Sequence, residues 1–315
     1  MSVEHWETYY RGGAIATCPT GPDANYSLEI RDSWVEFFAG FPDGARILDI
    51  GTGNGAVALI ARDTATAAGL RFEIHGSDLA RIDPPRQVHG GETMFDGIAF
   101  HPGVATERLP FEAASFDVVS GQFALEYTDV GRSFREIFRI LKPGGRARFS
   151  VHHADSVVVQ NARQSLSQSH LVLDESRIFR RLRAFVAAER EAAGRPKAAA
   201  TWNELNSAAV RLQQVVATTA NAHTLRVTLD AVQKLVAARR QMSPPQLDRE
   251  IDRVEREVRA SVRRLQDLIG AARSEAAIME MAGAAASAGF ESETPQPQFQ
   301  AGSVLVAWLL DLRKP

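Results

Sequence analysis

Arg46-Ile47-Leu48-Asp49-Ile50-Gly51-Thr52-Gly53-Asn54-Gly55 joins a short apolar run to a glycine-rich turn. Arg46 to Ile50 has the pattern of a buried strand, and it stops at Gly51. From Asn54 to about Ala68 the pattern predicts a helix. Glycines let the backbone bend sharply and approach a ligand, and a helix N-terminus offers free N–H groups. An anionic or dinucleotide-like ligand suits such a turn, outside the carboxyl end of its strand. Three glycines alone say little. With Ala56 the turn also satisfies the G-x-G-x-x-G/A pattern of nicotinamide binders.

Working outward, strand and helix patterns alternate. Phe72 to Gly76 predicts a second strand ending near Asp78, Ile98 to His101 a third, and Phe116 to Ser120 a fourth. Val130 to Leu141 predicts a helix with Phe134, Ile137, Phe138 and Leu141 on one face, stopped by Lys142-Pro143-Gly144-Gly145. Arg146 to Val151 predicts a fifth strand. This alternation implies βαβ units and a mostly parallel sheet. Between the second and third strands, Arg81 to Arg86 and His89-Gly90-Gly91 predict a long loop. Near the end, Ala276 to Ala288 predicts a helix, and Gly302 to Leu310 a final buried strand that rejoins the sheet.

The middle of the chain differs. Residues 154–275 are rich in Ala, Arg, Gln and Glu, with 20 Lys and Arg against 14 Asp and Glu, a net of +6. The remainder holds 16 against 24, a net of −8, so a total near −2 conceals a basic middle and an acidic body. Helices are predicted over 174–193, ending at Gly194-Arg195-Pro196, and over 202–240, ending before Ser243-Pro244-Pro245. Leu247, Ile251, Val254, Val258, Val262, Leu265, Ile269 and Ala272 then form a coiled-coil-like seam with one stutter. That seam fits either a self-contained helical bundle or a contact between two copies. The expected division is 1–153 with 276–315 as one domain and 154–275 as an insertion, serving as a cap or a dimer arm.

With 315 residues, 45% of them hydrophobic and 23% charged, the chain is neither disordered nor collagen-like. Its one cysteine, Cys18, excludes an intramolecular disulfide and a Cys-rich zinc site, and such usage suits a reducing cytosol. No run of about 18 apolar residues occurs, so no membrane span is expected. The start, Met1 to Glu7, lacks the basic tip and apolar core of a secretory signal. A soluble, cytoplasmic protein is the expectation.

The flanks of the glycine turn sharpen the reading. Ile47 to Gly55 resembles the first motif of class I S-adenosylmethionine-dependent methyltransferases, with Asp49 where nicotinamide binders normally carry an apolar residue. Asp78, in His75-Gly76-Ser77-Asp78-Leu79, resembles the acid that holds the ribose hydroxyls in that family. Leu109 to Val119, Arg135 to Gly145 and Ala288-Gly289-Phe290 are similar to later family motifs, in the same order. The resemblance covers 1–153 and 276–315. It implies a Rossmann-like α/β sheet of seven strands, the last antiparallel, with the long helical insertion after the fifth strand. It also implies S-adenosylmethionine as cofactor, S-adenosylhomocysteine as product, and no metal. The cofactor residues it suggests are Asp49, Gly51, Thr52, Gly53, Asn54, Gly55, Asp78 and Leu79, together with Gln122, Phe123 and Tyr10. Where the family usually has an aspartate for the adenine amino group, this chain has Ala105 with Thr106 and Glu107 beside it, and either Glu107 or a backbone carbonyl is the substitute. Trp6, Tyr9, Tyr10 and Arg11 suit either a lid helix or an aromatic cluster on the sheet.

The acceptor follows by elimination. Gly121-Gln122-Phe123-Ala124 lacks the Asn/Asp-Pro-Pro-aromatic turn of amino-group nucleic-acid methylation. Cys18 lies in the wrong context for pyrimidine C5 chemistry, and one thiol is too few for arsenic methylation. A small organic acceptor remains, methylated at oxygen, nitrogen or an activated carbon. A general base is optional in such a transfer. His152 and His153, after the fifth strand, are the first choice for it, and Glu126 with Tyr127 the second. Arg177, Arg180, Arg181 and Arg183 form a basic cluster that suits an anionic acceptor, a carrier domain or a solvated face. Two other readings stand beside this one. One is a cofactor-binding assembly protein without turnover. The other is a protein or RNA methyltransferase docking its target on the basic insertion, although nucleic acid is not the expected partner. The heptad seam allows a homodimer.

Overall fold

The computed structural model describes residues 3–17, 25–26, 28–191 and 195–315. Cys18 and Gly194 lie outside them. The chain divides into two compact units, one formed by Met1–Gln160 with Asp267–Pro315 and the other by Asn161–Gln266.

The first unit begins with helices α1 (Glu4–Arg11) and α2 (Leu28–Ala39), followed by β1 (Arg46–Ile50), α3 (Ala56–Ala67) and β2 (Glu73–Asp78). Two single-turn helices, α4 (Pro84–Gln87) and α5 (Gly91–Met94), interrupt the expected loop before β3 (Ile98–Pro102). Then come β4 (Phe116–Gln122), a 3-10 turn at Leu125–Tyr127, α6 (Val130–Ile140) and β5 (Leu141–Val151). The chain leaves through α7 (Val157–His170), α8 (Ile178–Arg190), α9 (Arg195–Thr218), α10 (His223–Ala238) and α11 (Pro244–Ala271). It ends with α12 (Glu275–Ser287), β6 (Glu291–Ser292), β7 (Gln296–Gln300) and β8 (Val304–Arg313).

The sheet order is β3-β2-β1-β4-β5-β8-β6, with β7 also paired to β8. β1 to β5 run parallel, and β8 runs antiparallel to β5 in the register Phe149↔Leu310. The seven-stranded expectation gains one two-residue strand, β6. Helices cover both faces, which is why the central strands read as continuous apolar runs. Ile47 and Val118 pack with Trp34 and Phe38 on the α2 and α3 side. Leu48, Ile50 and Val119 pack with Phe134, Ile137, Ile278 and Met281 on the α6 and α12 side. Asp129 caps α6 by accepting the Arg132 N–H at 3.0 Å. From α6, Arg139 donates to the carbonyls of Phe111 at 2.8 Å and Leu109 at 3.0 Å, and Glu136 accepts the Leu109 N–H at 3.0 Å. The Leu109-Pro110-Phe111 segment is therefore tied to the helix whose sequence motif accompanies it.

The ends of the helical excursion meet. His153 and Arg273 form a parallel bridge, the Arg273 N–H donates to the His152 carbonyl at 2.8 Å, and the Ala154 N–H donates to the Arg273 carbonyl at 2.9 Å. Leaving and rejoining at one point lets a long segment be inserted without disturbing the sheet.

In the second unit, the expected helix over 202–240 is two helices broken at residues 219–222. Thr218-Thr219-Ala220-Asn221 carries poor helix formers, and Ala222 beyond it is fully buried. A helical stretch over 157–175, before the first one expected, also appears. Leu182, Phe185, Leu212, Leu225, Leu247, Ile251 and Val254 share one core. The first half of the heptad seam is thus consumed inside this unit.

Candidate functional site

The carboxyl ends of β1, β2, β4 and β5 converge on a cavity of about 150 Å³ in the first unit. The glycine turn forms one wall. Gly51 has φ +56°, and a Cβ there would come 2.4 Å from the Ala124 Cβ. Gly53 has φ +52°, and a Cβ there would come 2.6 Å from the Tyr10 ring. Both sites therefore need glycine for conformation and for room. Asn54 is buried and ties the turn to the N-terminal segment, its Nδ2 donating to the carbonyls of Tyr10 at 2.9 Å and Ala14 at 2.8 Å.

Two buried carboxyls stand beneath the turn. Asp49 accepts from Thr52 Oγ1 at 2.6 Å and from Ser120 Oγ at 2.9 Å. Burial nevertheless pushes its carboxyl up to about 7, and the nearby Asp78 adds to the rise. Asp78, at the end of β2, accepts the Gly53 N–H on Oδ2 and the Ala80 N–H on Oδ1, both at 2.8 Å. Burial raises it to about 6 against those two bonds. Each of its oxygens keeps a lone pair for a further donor. Leu79 lines the same wall and is 47% exposed, an apolar surface that a purine would cover. Ala105, Thr106 and Glu107 line the cavity together, and Glu107 accepts the Asp129 N–H on Oε1 at 2.8 Å. Gln122 lines it too, but its amide is already engaged by Trp34 Nε1 at 2.7 Å and Ser150 Oγ at 3.0 Å. Its contribution is shape.

Past β4 and β5 the lining becomes aromatic. Phe123 adopts φ +55°, a left-handed conformation that costs a non-glycine residue about 1–3 kcal/mol. Its ring stacks on His152 at 3.8 Å and 7°. Tyr127 meets His152 edge-on at 6.2 Å, and Trp6 meets Tyr127 at 5.8 Å. Burial drives His152 down to about 3, so the imidazole is neutral, and its Nδ1 has no partner among the described residues. Glu126 accepts the His152 N–H on Oε1 at 2.8 Å, while its buried Oε2 is unpartnered among the described residues. Burial raises the Glu126 carboxyl to about 7, moderated by that N–H and by the charge of Arg273.

Of the residues singled out in the sequence, Asp49, Gly51, Thr52, Gly53, Asp78, Leu79, Glu107, Gln122, Phe123, Tyr10 and His152 line the cavity. Asn54, Gly55, Glu126 and His153 are not part of the lining. His153 instead stacks on Trp308 at 5.6 Å, and its Nδ1 accepts the Asp155 N–H. Leu268, at the far end of the helical excursion, and Val104 line the cavity without any local sequence signal. Among the described residues no group of three or more His, Cys, Asp or Glu side chains could hold a metal. None of their helices is long and apolar enough to cross a membrane.

Residues 48–149 match a methyltransferase domain family. The chain is similar to the ubiquinone/menaquinone biosynthesis C-methyltransferase UbiE of Xylella fastidiosa, at 33% identity over 39% of this chain and 49% of that protein. It is also similar to the demethylmenaquinone methyltransferase of Deinococcus radiodurans, at 36% over 32% and 40%, and to an arsenite methyltransferase of Aquipseudomonas alcaligenes, at 29% over 39% and 37%. The chain thus spans half or less of the length of these curated relatives. Among solved structures, the YcgJ protein of Bacillus subtilis matches at 24% identity with a TM-score of 0.33, over 44% of this chain and 58% of that one. The match to a methyltransferase domain falls on residues 48–149, the stretch that holds the glycine turn and the parallel strands of the first unit.

Proposed function

We propose that the protein methylates a small, uncharged organic acceptor at oxygen, nitrogen or an activated carbon, using S-adenosylmethionine. The cofactor, when bound, supplies an electrophilic methyl group on a sulfonium. Asp78 is suited to hold the ribose hydroxyls with the free lone pairs of its two oxygens, since the paired hydroxyls need a bidentate acceptor. The backbone at Gly51 and Gly53 is suited to the methionine part, Leu79 to the adenine face, and Glu107 to the adenine amino group. The rings of Trp6, Tyr127, His152 and Phe123 exclude water and orient the acceptor, and positioning of that kind can account for most of such a transfer.

The observation that carries the acceptor class is the charge of the lining. It holds Asp49, Asp78 and Glu107, a neutral His152, and no Lys or Arg among the described residues. A phosphate or carboxylate on the acceptor would enter without a counter-charge, which is costly in a dry pocket. His152 Nδ1 offers one hydrogen bond to a neutral hydroxyl or amine but is too weak a base to take its proton. Asp49 and Glu126, both with carboxyls near 7, are the groups able to hold a proton, and of the two only Asp49 lines the cavity. The quinone-pathway C-methyltransferases among the relatives fit an uncharged acceptor. The single cysteine does not fit the thiol set that arsenite would need.

In the helical unit, Arg181 pairs with Glu204, and Arg183 with Asp252 and Glu255, so half of the basic cluster is neutralised within the chain. That weakens the RNA or protein docking alternative. The test is calorimetric titration with S-adenosylmethionine and S-adenosylhomocysteine, with Asp78→Ala alongside, followed by paired neutral and phosphorylated acceptors. Micromolar binding lost in the variant and turnover of neutral acceptors alone support the reading. Absence of cofactor binding to the folded protein removes it.

A further inference from the structure

α1 crosses the cofactor cavity as a strap with two anchors. At its C-terminal end, Asn54 of the glycine turn holds the carbonyls of Tyr10 and Ala14. At its N-terminal end the anchor comes from elsewhere in the chain. His5, only 5% exposed, places Nε2 2.5 Å from Asp267 Oδ2. Trp6 Nε1 donates to the same oxygen at 3.2 Å. Asp267 lies in the last two turns of α11, where the helix rejoins the first unit, and the next residue, Leu268, lines the cavity.

Several features make this more than a surface ion pair. One carboxylate oxygen receives two side chains that are adjacent in sequence, which fixes the rotation of α1 about its axis. Trp6 lines the cavity, stacks near Tyr10 at 6.2 Å and meets Tyr127 edge-on. Its orientation therefore shapes the mouth of the site. Tyr10, one turn further along, sits against Gly53, whose backbone N–H reaches Asp78. A shift of α1 would reach the cofactor wall through Tyr10 and the acceptor wall through Trp6.

We propose that Asp267 is a positioning residue for the cofactor site. It acts through His5 and Trp6 to hold α1 closed over the cavity. This rests on the methyltransferase reading given above. It assigns the end of the helical excursion a task in the body: the excursion returns a carboxylate and a leucine to the mouth of the site. A fixed strap lowers the ordering cost of closing the pocket on its ligand, so its loss should appear in affinity.

The experiment compares wild type with Asp267→Ala, Asp267→Asn, His5→Ala and the double variant His5→Ala/Asp267→Ala. Each is measured for S-adenosylmethionine affinity by calorimetry, for the change in tryptophan fluorescence on binding, and for thermal midpoint. Asp267→Ala should weaken binding about tenfold and diminish the fluorescence change. Asp267→Asn, which keeps an acceptor oxygen for one donor, should recover most of the affinity. The double variant should bind no worse than about twofold below Asp267→Ala, because both changes break one contact. Unchanged affinity in Asp267→Ala and His5→Ala, with or without a lowered midpoint, overturns the proposal and leaves Asp267 a structural contact. Independent, multiplying losses in the double variant also overturn it. If the wild type itself binds no S-adenosylmethionine, the methyltransferase reading has failed, which is a separate outcome.

Discussion

In the first unit, Asn54, Glu126, His152, Gln298 and Trp308 each bury a polar atom that has no partner among the described residues. In the helical unit the polar chemistry is mostly settled at the surface: Arg183 with Asp252 and Glu255, Arg190 with Asp248, Arg239 with Glu189, and Arg253 with Glu250 and Glu257. Gln168 Oε1 is the exception there. Buried unpaired polar atoms are costly, and a fold keeps them where a ligand is to complete them. By that measure the body holds most of the unfinished polar contacts, one of which, His152 Nδ1, belongs to a residue lining the cavity, and the helical unit is built for its own stability.

The largest effect that separates the two regions is a cavity in the helical core. Ile251 is fully buried among Leu182, Leu247 and Val254. Ile251→Ala should cost that unit about 3–4 kcal/mol, seen as an early loss of helical circular dichroism on heating. If the units unfold as one, a single transition will shift instead, and the contrast between them is thermodynamically empty.

The next effect belongs to the body alone and depends on pH. Glu126 has its carboxyl raised by burial to about 7 in the folded protein. A group raised in this way binds its proton more tightly folded than unfolded. Its stabilising share is present below about pH 4.5 and is lost as the pH rises to about 7, a swing of about 3 kcal/mol at most. His152 has the opposite sign: its depressed value stabilises above about pH 6.5, and that share is lost as the pH falls toward 3. Glu126→Gln should therefore be more stable than wild type at pH 8 and show a flatter stability profile between pH 5 and 8. Urea titrations across that range check it, and parallel profiles for the two proteins would contradict the burial of a charge at this site.

Legibility followed the same division. The central strands β1 and β4 were readable because both of their faces are buried, which writes a short apolar run that ends near glycine, whereas β3, at the sheet edge, buries only Ile98. The cofactor wall was readable because Gly51, Gly53 and Asp78 are required by backbone geometry and by a diol, and such demands leave fixed spacings. The acceptor wall was only partly readable. His152 and Phe123 belong to different strands, and their stacking depends on a left-handed Phe123 that no local pattern announces. His153 attracted the same attention as His152, yet alternation along the chain turns it away toward Trp308. Leu268 and Asp267 sit near the end of a 28-residue helix with a regular seam, so nothing local marks them as neighbours of α1. In the helical unit, periodicity showed which faces are apolar but not where α9 ends and α10 begins. Thr218, Thr219 and Asn221 are weak helix formers, but their penalties of roughly a few tenths of a kcal/mol do not by themselves fix a break that tertiary packing selects.

A smaller effect tests how closely α1 is fitted to the turn. Gly53→Ala would place a methyl against the Tyr10 ring in a backbone conformation that favours glycine. The ring is the far end of a movable side chain, so the fold should survive while S-adenosylmethionine binding weakens about tenfold. Wild-type affinity in this variant would mean that Tyr10 moves aside on binding in any case.

The smallest expected effect is the most direct check on the helical unit as a self-satisfied structure. Arg183 joins α8 to α11 through Asp252 and Glu255, both at 2.6 Å, with the arginine 38% exposed. Exposed pairs of this kind lose most of their attraction to solvent and side-chain entropy, so Arg183→Ala should cost less than about 1 kcal/mol. Cofactor affinity should stay at the wild-type value. Removing the arginine also leaves Glu255 with Arg259 as its remaining partner at 2.6 Å, so no charge is stranded. A loss well above that figure would show the Arg183 network to be a buried-type interaction. A loss of cofactor affinity without loss of stability would instead give the basic cluster a role in the body's chemistry, and the contrast between a ligand-completed body and a self-completed helical unit would no longer hold.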